Sequence, residues 1–455
     1  MQLGALFADA GHQLFLVGGS VRDAMLDRRV EDFDFATDAH PEEIASLLEG
    51  WATTVYRVGE AFGTIAAVRG QNTVEVTTFR SEIYREESRK PHVEFSDSLT
   101  DDLARRDFTV NAMALALPEL ALVDPHGGMS DLAAQVLRTP SGPQIAFSDD
   151  PLRMLRLFRF QATLGFLPDA ETAAAATSMS DRLGIVSAER IRDELSRLMV
   201  ATSPSVALLG IVESGLARHF LPELPELAME QDPVHKHKNV LAHTLAVVDK
   251  TTPWLTLRLA ALLHDVGKPT TRRFGPGGVS FHHHEVVGAR IARERLRDLR
   301  YPKEVVEDVA RLVFLHLRPH TLKLGWTDSA VRRYVRDAGD LLGPLNELVR
   351  CDVTTGNPRR AAAIAARIDE LEKRIAELAA EEELSRIRPP LDGHQVMAYL
   401  GIGPGPVVGE ALDMLLERRL DDGPFPPDEA YAVVRDWALS RGLDDPGDPQ
   451  VEEEE

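Results

Sequence analysis

Cysteine is almost missing from the chain: Cys351 stands alone among 455 residues. One thiol excludes an intramolecular disulfide and leaves no cysteine cluster for a metal. No unbroken apolar run is long enough to span a bilayer. The N-terminus lacks the basic start and extended apolar core of a signal peptide. Net positive charge is lacking too, since 51 lysines and arginines face 72 acids and leave a formal charge of −21. The total therefore carries no basic footprint of the kind that binding nucleic-acid phosphates usually leaves. Net charge sums over faces, however, and a Glu452–Glu455 run holds part of the excess as a solvated tail. Arginine outnumbers lysine, which codon bias explains more simply than selection for bidentate phosphate contacts. What remains is a soluble, cytoplasmic chain of ordinary hydrophobic content, long enough for three or four cores.

The first 140 residues mix short strands with helices. Phe62–Val68 and Thr73–Phe79 flank Arg69-Gly70-Gln71-Asn72, which predicts a hairpin. Ser81 to Ser98 has little apolar periodicity and reads as a mobile loop. From Asp150 onward strand signals largely vanish, and Leu152, Leu155, Phe158 and Phe160 recur at helical spacing. Ala361–Glu383 has the composition of a long exposed spacer helix. The fold class is α+β, with segments predicted at 1–140, 141–230, 231–358 and 359–455.

Chemistry concentrates near the N-terminus. Leu14-Phe-Leu-Val-Gly-Gly-Ser-Val-Arg-Asp23 reads as a strand, a Gly-Gly turn and a helix start, and Glu31-Asp-Phe-Asp-Phe35 follows. Residues two apart on a strand share a face, so Asp32 and Asp34 sit side by side while Phe33 and Phe35 turn to a core. Two carboxylates that close repel unless a cation joins them. Mg²⁺ takes oxygen ligands, commonly one or two carboxylates plus substrate phosphates. A solvated edge strand would carry the same Asp-x-Asp pattern; the turn upstream tips the reading toward metal. Gly18 and Gly19 let backbone approach a phosphate closely, and the helix they open offers free N–H groups and a positive dipole end. Ser20 and Arg22, in its first turn, can add donors. Glu75 faces away from Val74 and Val76; it is either an exposed glutamate or a third carboxylate carried to the pair by a neighbouring strand. The set predicts a triphosphate seat beside a metal, the apparatus of nucleotidyl transfer.

At these residues the chain resembles the head motif of bacterial tRNA nucleotidyltransferases and their poly(A) polymerase relatives, in the polymerase-beta-like nucleotidyltransferase superfamily. Three further segments agree in order. Arg105-Arg-Asp-Phe-Thr-Val-Asn-Ala-Met113 is similar to the second motif, Asp149-Asp-Pro-Leu-Arg-Met-Leu-Arg-Leu-Phe-Arg-Phe160 to the base-reading motif, and Ser187-Ala-Glu-Arg-Ile-Arg-Asp-Glu-Leu195 to the neck-helix motif. The base-reading motif usually begins Glu-Asp and here begins Asp149-Asp150; its reader is the second acid. The resemblance implies that Asp32 and Asp34 hold catalytic metals and that Gly19, Arg22 and Arg106 contact the incoming nucleotide. It further implies that Asp150 and Arg153 read the base edge, with Arg156 and Arg159 on sugar or phosphate. Residues alone allow this, because Asp150, Arg153 and Arg156 would share a helical face. An acid and a guanidinium can match the amine and acceptor that cytosine and adenine both present. Asp150-Pro151 equally reads as a helix N-cap with proline in the first turn.

A second cluster follows. His243, His264-Asp265, His284, His316 and Asp352, spread over helical segments, suit a divalent metal of unidentified kind. Their spacing resembles HD-superfamily phosphohydrolases. In some relatives this domain cleaves phosphoesters on RNA ends and in others it is scaffold; His282 and His283 read as bystanders. The metal set drawn from this pattern is His243, His264, Asp265, His284 and Asp352. Pro390–Met397 and Gly401–Gly409 resemble the family's tail, which helps hold the tRNA elbow, and equally read as simple packing.

The resemblance thus implies a small mixed α/β nucleotidyltransferase head followed by all-helical neck, HD and tail domains. The implied activity is addition of CCA to tRNA 3′ ends from CTP and ATP with Mg²⁺. Gly59-Glu-Ala-Phe-Gly-Thr-Ile65 looks more like the CCA-adding branch than the poly(A) polymerases. Poly(A) synthesis, addition of only CC or only A, and an HD phosphohydrolase with a nucleotide-binding head are the alternatives.

Overall fold

The computed structural model describes residues 1–448 apart from 31, 58, 84–91, 231–238, 276–277, 322–325, 354–357 and 385–386. Glu31 and the terminal glutamates therefore lie outside the described residues. The chain divides into two compact units, Met1–Ala228 with Arg295–Tyr301, and Met229–Glu294 with Pro302–Glu455. The architecture is α+β, and the first unit holds the main sheet. Among the described residues no helix is long and apolar enough to cross a membrane.

The head strands are β1 (Leu14–Val17), β2 (Asp32–Thr37), β3 (Thr54–Tyr56), β4 (Thr64–Arg69), β5 (Asn72–Thr78), β6 (Arg80–Ile83), β7 (His92–Phe95), β8 (Ala114–Leu117) and β9 (Leu122–Val123). Seven of them form one mixed sheet in the order β3-β4-β5-β2-β1-β8-β9. Strands β4 and β5 are the expected hairpin, with Arg69 opposite Asn72 across Gly70-Gln71. The β2–β5 pair is parallel and needs a crossover, supplied by the Pro41–Glu49 helix with β3 and β4.

Period-two patterning decides the layers. Leu14, Phe35, Val74 and Val76 pack on one face with Phe7, Ile44 and Leu48 from the Gln2–Asp9 and Pro41–Glu49 helices, and Phe33 joins this cluster. Phe15, Val17 and Ala36 pack on the other with Phe79 and Leu103. Asp32, Asp34 and Ala36 share that second face, so the carboxylates emerge where its apolar cover ends.

At both ends of the region expected as a loop the structure has strand instead, while residues 84–91 lie outside the described residues. Strands β6 and β7 pair antiparallel, from Arg80 opposite Phe95 to Ile83 opposite His92. Backbone ladder bonds need no apolar alternation, which is why the pattern was silent there. The rest of the first unit is helical apart from a short parallel pair, Val136–Leu137 with Leu167–Pro168, and Leu152–Leu164 packs between Ala188–Met199 and Pro204–Glu213.

The second unit is a helical assembly with one short ribbon, Arg273–Gly275 against Gly278–Ser280. The Pro358–Glu381 helix is not the exposed spacer its composition predicted. Its Ile368, Leu371 and Leu378 are buried along one stripe, while Arg350 reaches Asp369 and Glu372 on its flank. The last helices, Gly393–Leu400, Pro406–Asp422 and Pro427–Ser440, close over Val396, Leu415 and Val434.

Candidate active site

The register of two strands builds the carboxylate cluster. Asp34 lies directly beside Glu75 and Asp32 beside Thr73. Burial, followed by Asp32, pushes the Asp34 carboxyl above its usual range against the pull of Arg106. Burial, Asp34 and Asp32 do the same to Glu75. With Asp32 beside these two, the three carboxylates are an oxygen-only set, which fits a hard divalent cation.

Behind them, Gly18 takes φ 72° as the chain turns from β1 into the Gly19–Met25 helix. A Cβ at this glycine would stand 2.8 Å from Arg106 Nη1, so the turn needs both the left-handed backbone and the bare side. Ser20 is buried and engaged. Its hydroxyl donates to the Asp32 carbonyl (2.8 Å) and accepts from the Asp34 N–H (3.3 Å), bracing the strand that carries the acids. Arg22 forks onto Asp23 (2.9 and 2.8 Å) and donates to Asn111 Oδ1 (2.6 Å).

These groups open into a cleft of about 740 Å³ lined by ten arginines against six acids. That local excess answers the sequence's overall negative charge, because the basic residues converge on one surface. Gly18, Gly19, Arg22, Asp32, Asp34, Glu75, Arg106, Asp150, Arg153, Arg156 and Arg159 all line it.

Buried acids hold the arginines. Asp102, 1 % exposed, accepts from Arg105 (3.2 Å) and Arg106 (3.0 Å), and the two cations keep it below the usual range despite burial. Asp107 accepts from Arg156 Nε (2.9 Å), Asn111 Nδ2 (2.9 Å) and the Phe108 N–H (2.8 Å). Burial opposes its charge, yet Arg156 and these donors hold it well below the usual range. Glu194 accepts from Arg156 (3.3 Å) and from Arg159. Arg159 also lies 3.9 Å from the Phe160 ring centroid. Arg156 and Arg159 thus sit in a fixed ion-pair network at the cleft wall.

Asp150 lies two residues before the Leu152–Leu164 helix, whose N-cap is Pro151, and accepts from the Leu152 N–H (3.1 Å). Its other oxygen accepts from Arg190 (2.7 Å). Arg153 donates to the carbonyls of Ala146 (3.3 Å) and Arg105. Sequence reasoning assigned no role to Asp102, Asp107, Asn111, Glu194, Arg190 or Arg197. Arg190, Glu194 and Arg197 recur at four and three residues on the Ala188–Met199 helix, a spacing that marks one face.

A second constellation lies in the second unit. His243, His264, Asp265, His284, His316 and Asp352 converge from separate helix ends. His243 Nε2 is 2.8 Å from Asp352 Oδ1, and His264 Nε2 is 3.2 Å from Asp265 Oδ2 and 3.3 Å from His243 Nε2. His284 Nε2 stands 3.5 Å from Asp265 Oδ1. Three of the imidazoles turn Nδ1 to a carbonyl three residues back: His264 to Ala261, His284 to Phe281 and His316 to Val313. That fixes each ring and aims Nε2 inward, as metal-ligating histidines are oriented. Among the described residues the buried Nε2 of His316 has no hydrogen-bond partner, and that of His284 has only the 3.5 Å approach of Asp265. Burial disfavours a charged His264, but Asp265 and Asp352 hold its proton up to about 10, while burial and His264 push His316 down to about 3. A mixed nitrogen and oxygen set with orphaned nitrogens fits a divalent transition metal. His316 belongs in the set geometrically, whereas His282 and His283 are exposed outside it. Gly267 permits the packing, since a Cβ there would meet the His284 carbonyl at 2.1 Å.

Family models match in chain order: the Poly A polymerase head domain at residues 14–138, the "Probable RNA and SrmB- binding site of polymerase A" at 165–227, and the HD domain at 239–379. An A-adding tRNA nucleotidyltransferase of Deinococcus radiodurans is 36% identical over 93% of this chain and 95% of its own. A CC-adding tRNA nucleotidyltransferase of Thermus thermophilus is 35% identical over 96% of each. The crystal structure of the Bacillus stearothermophilus CCA-adding enzyme in complex with CTP superposes with a TM-score of 0.70 at 25% identity, covering 97% of both chains. With relatives this similar over nearly their whole length, the chain belongs to the tRNA nucleotidyltransferase family.

Proposed function

We propose that this enzyme adds C, C and A in turn to the 3′ end of tRNA, from CTP and ATP, without a nucleic-acid template. The observation that carries the reading is the in-register placement of Asp34 beside Glu75, with Asp32 two residues away, at the edge of an arginine-lined cleft that begins at the Gly18 turn. The tRNA substrate places the reaction in the cytoplasm.

Asp32, Asp34 and Glu75 would hold Mg²⁺, which when bound activates the RNA 3′-hydroxyl and steadies the leaving oxygens. The backbone at Gly18-Gly19 seats the triphosphate, and Arg22 and Arg106 neutralise it. Asp102 and Asn111 keep those two guanidiniums in place. Asp150 and Arg153 read the base edge once Arg190 releases the Asp150 carboxylate. Arg156 and Arg159, tied to Asp107 and Glu194, form a rigid cationic wall against sugar and phosphate. Positioning and charge neutralisation supply most of the acceleration. His243, His264, Asp265, His284, His316 and Asp352 would hold a divalent metal, which when bound would supply phosphoester hydrolysis on RNA. Domain boundaries near 140, 230 and 358 separate head, neck, HD and tail functions.

One second reading has an observation behind it: relatives matching almost end to end include an A-adding and a CC-adding enzyme. The test is incubation with tRNA ending at its discriminator base, offering CTP, ATP or both. Growth by C, C and A supports the proposal. Growth by CC alone, or only on a tRNA already ending in CC, would assign the partial activity. A long A tract would overturn both.

A further inference from the structure

We propose that the second unit carries a separate seat for a nucleotide, behind the histidine cluster. A cleft of about 530 Å³ opens between the Lys303–Leu315 and Asp328–Ala338 helices, within the range of small-molecule sites. None of the six metal-cluster residues lines it.

The sequence lays out one wall. Glu307, Arg311 and Phe314 recur at intervals of four and three on the Lys303–Leu315 helix, a single stripe, and Arg318 opens the short helix Arg318–Thr321 that follows. His316, at the C-terminal end of the first helix, goes to the metal cluster, whereas Arg311, Phe314 and Arg318 line this cleft.

Charge is in excess there. Arg293, Arg311, Arg318 and Arg336 converge against two lining carboxylates. Glu307 holds Arg293 at 2.7 Å. Asp337 is shared between Arg318 and Arg336, and Arg336 also nears Glu417 at 3.5 Å. Arg311 forms no ion pair or hydrogen bond with a described residue, though Asp308 lies within its electrostatic reach.

Phe314 decides the ligand class. Its ring is 40 % exposed amid these guanidiniums, an open aromatic face that a base can stack on. Guanidiniums on either side suit a phosphate, which they bind bidentately. Ring and cations together fit a nucleotide unit, either free or within single-stranded RNA. A polyanion without a base would use only the arginines. The inference stands on this cleft alone and does not depend on which nucleotides the head transfers.

Equilibrium dialysis of the full chain counts the sites, with ATP, an oligo(A) hexamer and tripolyphosphate as probes. ATP or the hexamer should occupy a second site per chain, weaker than the transfer cleft. Arg311→Glu and Phe314→Ala should each weaken that site roughly tenfold, with Arg311→Lys intermediate. Incorporation of C into tRNA should stay unchanged, because neither residue lines the transfer cleft. ATP without the hexamer would identify a free nucleotide, and the hexamer without ATP an RNA segment. The proposal is overturned if neither binds beyond the transfer cleft, if both variants leave the second site intact, or if tripolyphosphate competes equally in wild type and Phe314→Ala.

Discussion

Replacing Asp107 by Asn tests whether the arginine wall is held by buried charge. Asp107 is 7 % exposed and receives Arg156 through two nitrogens, with Asn111 and the Phe108 N–H completing its shell. An amide keeps one carbonyl acceptor, turns an NH₂ toward the remaining donors and removes the charge. Hydrogen bonds to charged groups contribute about 1.5–3 kcal/mol each, and removing one partner of a buried ion pair costs about 3–5 kcal/mol. Arg156 retains Glu194 at 3.3 Å, which places the loss toward the lower end, about 3 kcal/mol. For a unit of this size that lowers Tm by about 6–12 °C. The depressed pKa of Asp107 sets the pH window. Its contribution is complete above the unfolded value of about 3.9 and is lost as pH falls through the folded value. The deficit of the variant should therefore be constant from about pH 5 to about pH 8 and shrink only in stronger acid. Calorimetry and urea titration of the full chain measure it, following the transition of the first unit. A loss under about 1 kcal/mol would mean that the pair behaves as a solvated surface pair, and the reasoning would fail.

Gly18→Ala forces a side chain into φ 72° and against Arg106 Nη1, costing about 1–2 kcal/mol and lowering kcat for C addition at least about tenfold. Asp34→Asn should raise the Tm of the metal-free chain, because a carboxyl with a raised folded pKa destabilises the fold wherever it is charged. The same variant should lose transfer by about 10³-fold or more, read as nucleotide incorporation. His316→Ala should reduce metal retained after dialysis, measured by elemental mass spectrometry, while C addition persists.

How far the site could be read from residue order depends on how local each interaction is. The alternation Asp32-Phe33-Asp34-Phe35 declares its two faces within four residues, and the structure keeps them apart as period two requires. Glu75 was an open choice because its place depends on the register between β2 and β5, set by a crossover that no short pattern encodes. Asp107 and Glu194 were invisible for a related reason. Their partners lie 49 and 35 to 38 residues away, and a buried acid looks like any other acid until the fold brings an arginine to it. The β6–β7 ladder escaped because backbone pairing leaves no mark in side-chain polarity. His316 stood in the expected series of the second cluster, but its orphaned Nε2 could be seen only in three dimensions.

The central claim is that Asp32, Asp34 and Glu75 hold divalent ions against a triphosphate seated at Gly18-Gly19. Anomalous diffraction from crystals grown with Mn²⁺ and a non-hydrolysable CTP analogue tests it most directly. The account predicts a Mn²⁺ peak bridging the Asp32 and Asp34 carboxylates and the analogue's phosphates, with the cytosine near Asp150 and Arg153. Phosphates bound elsewhere, or Mn²⁺ confined to the histidine cluster, would contradict it.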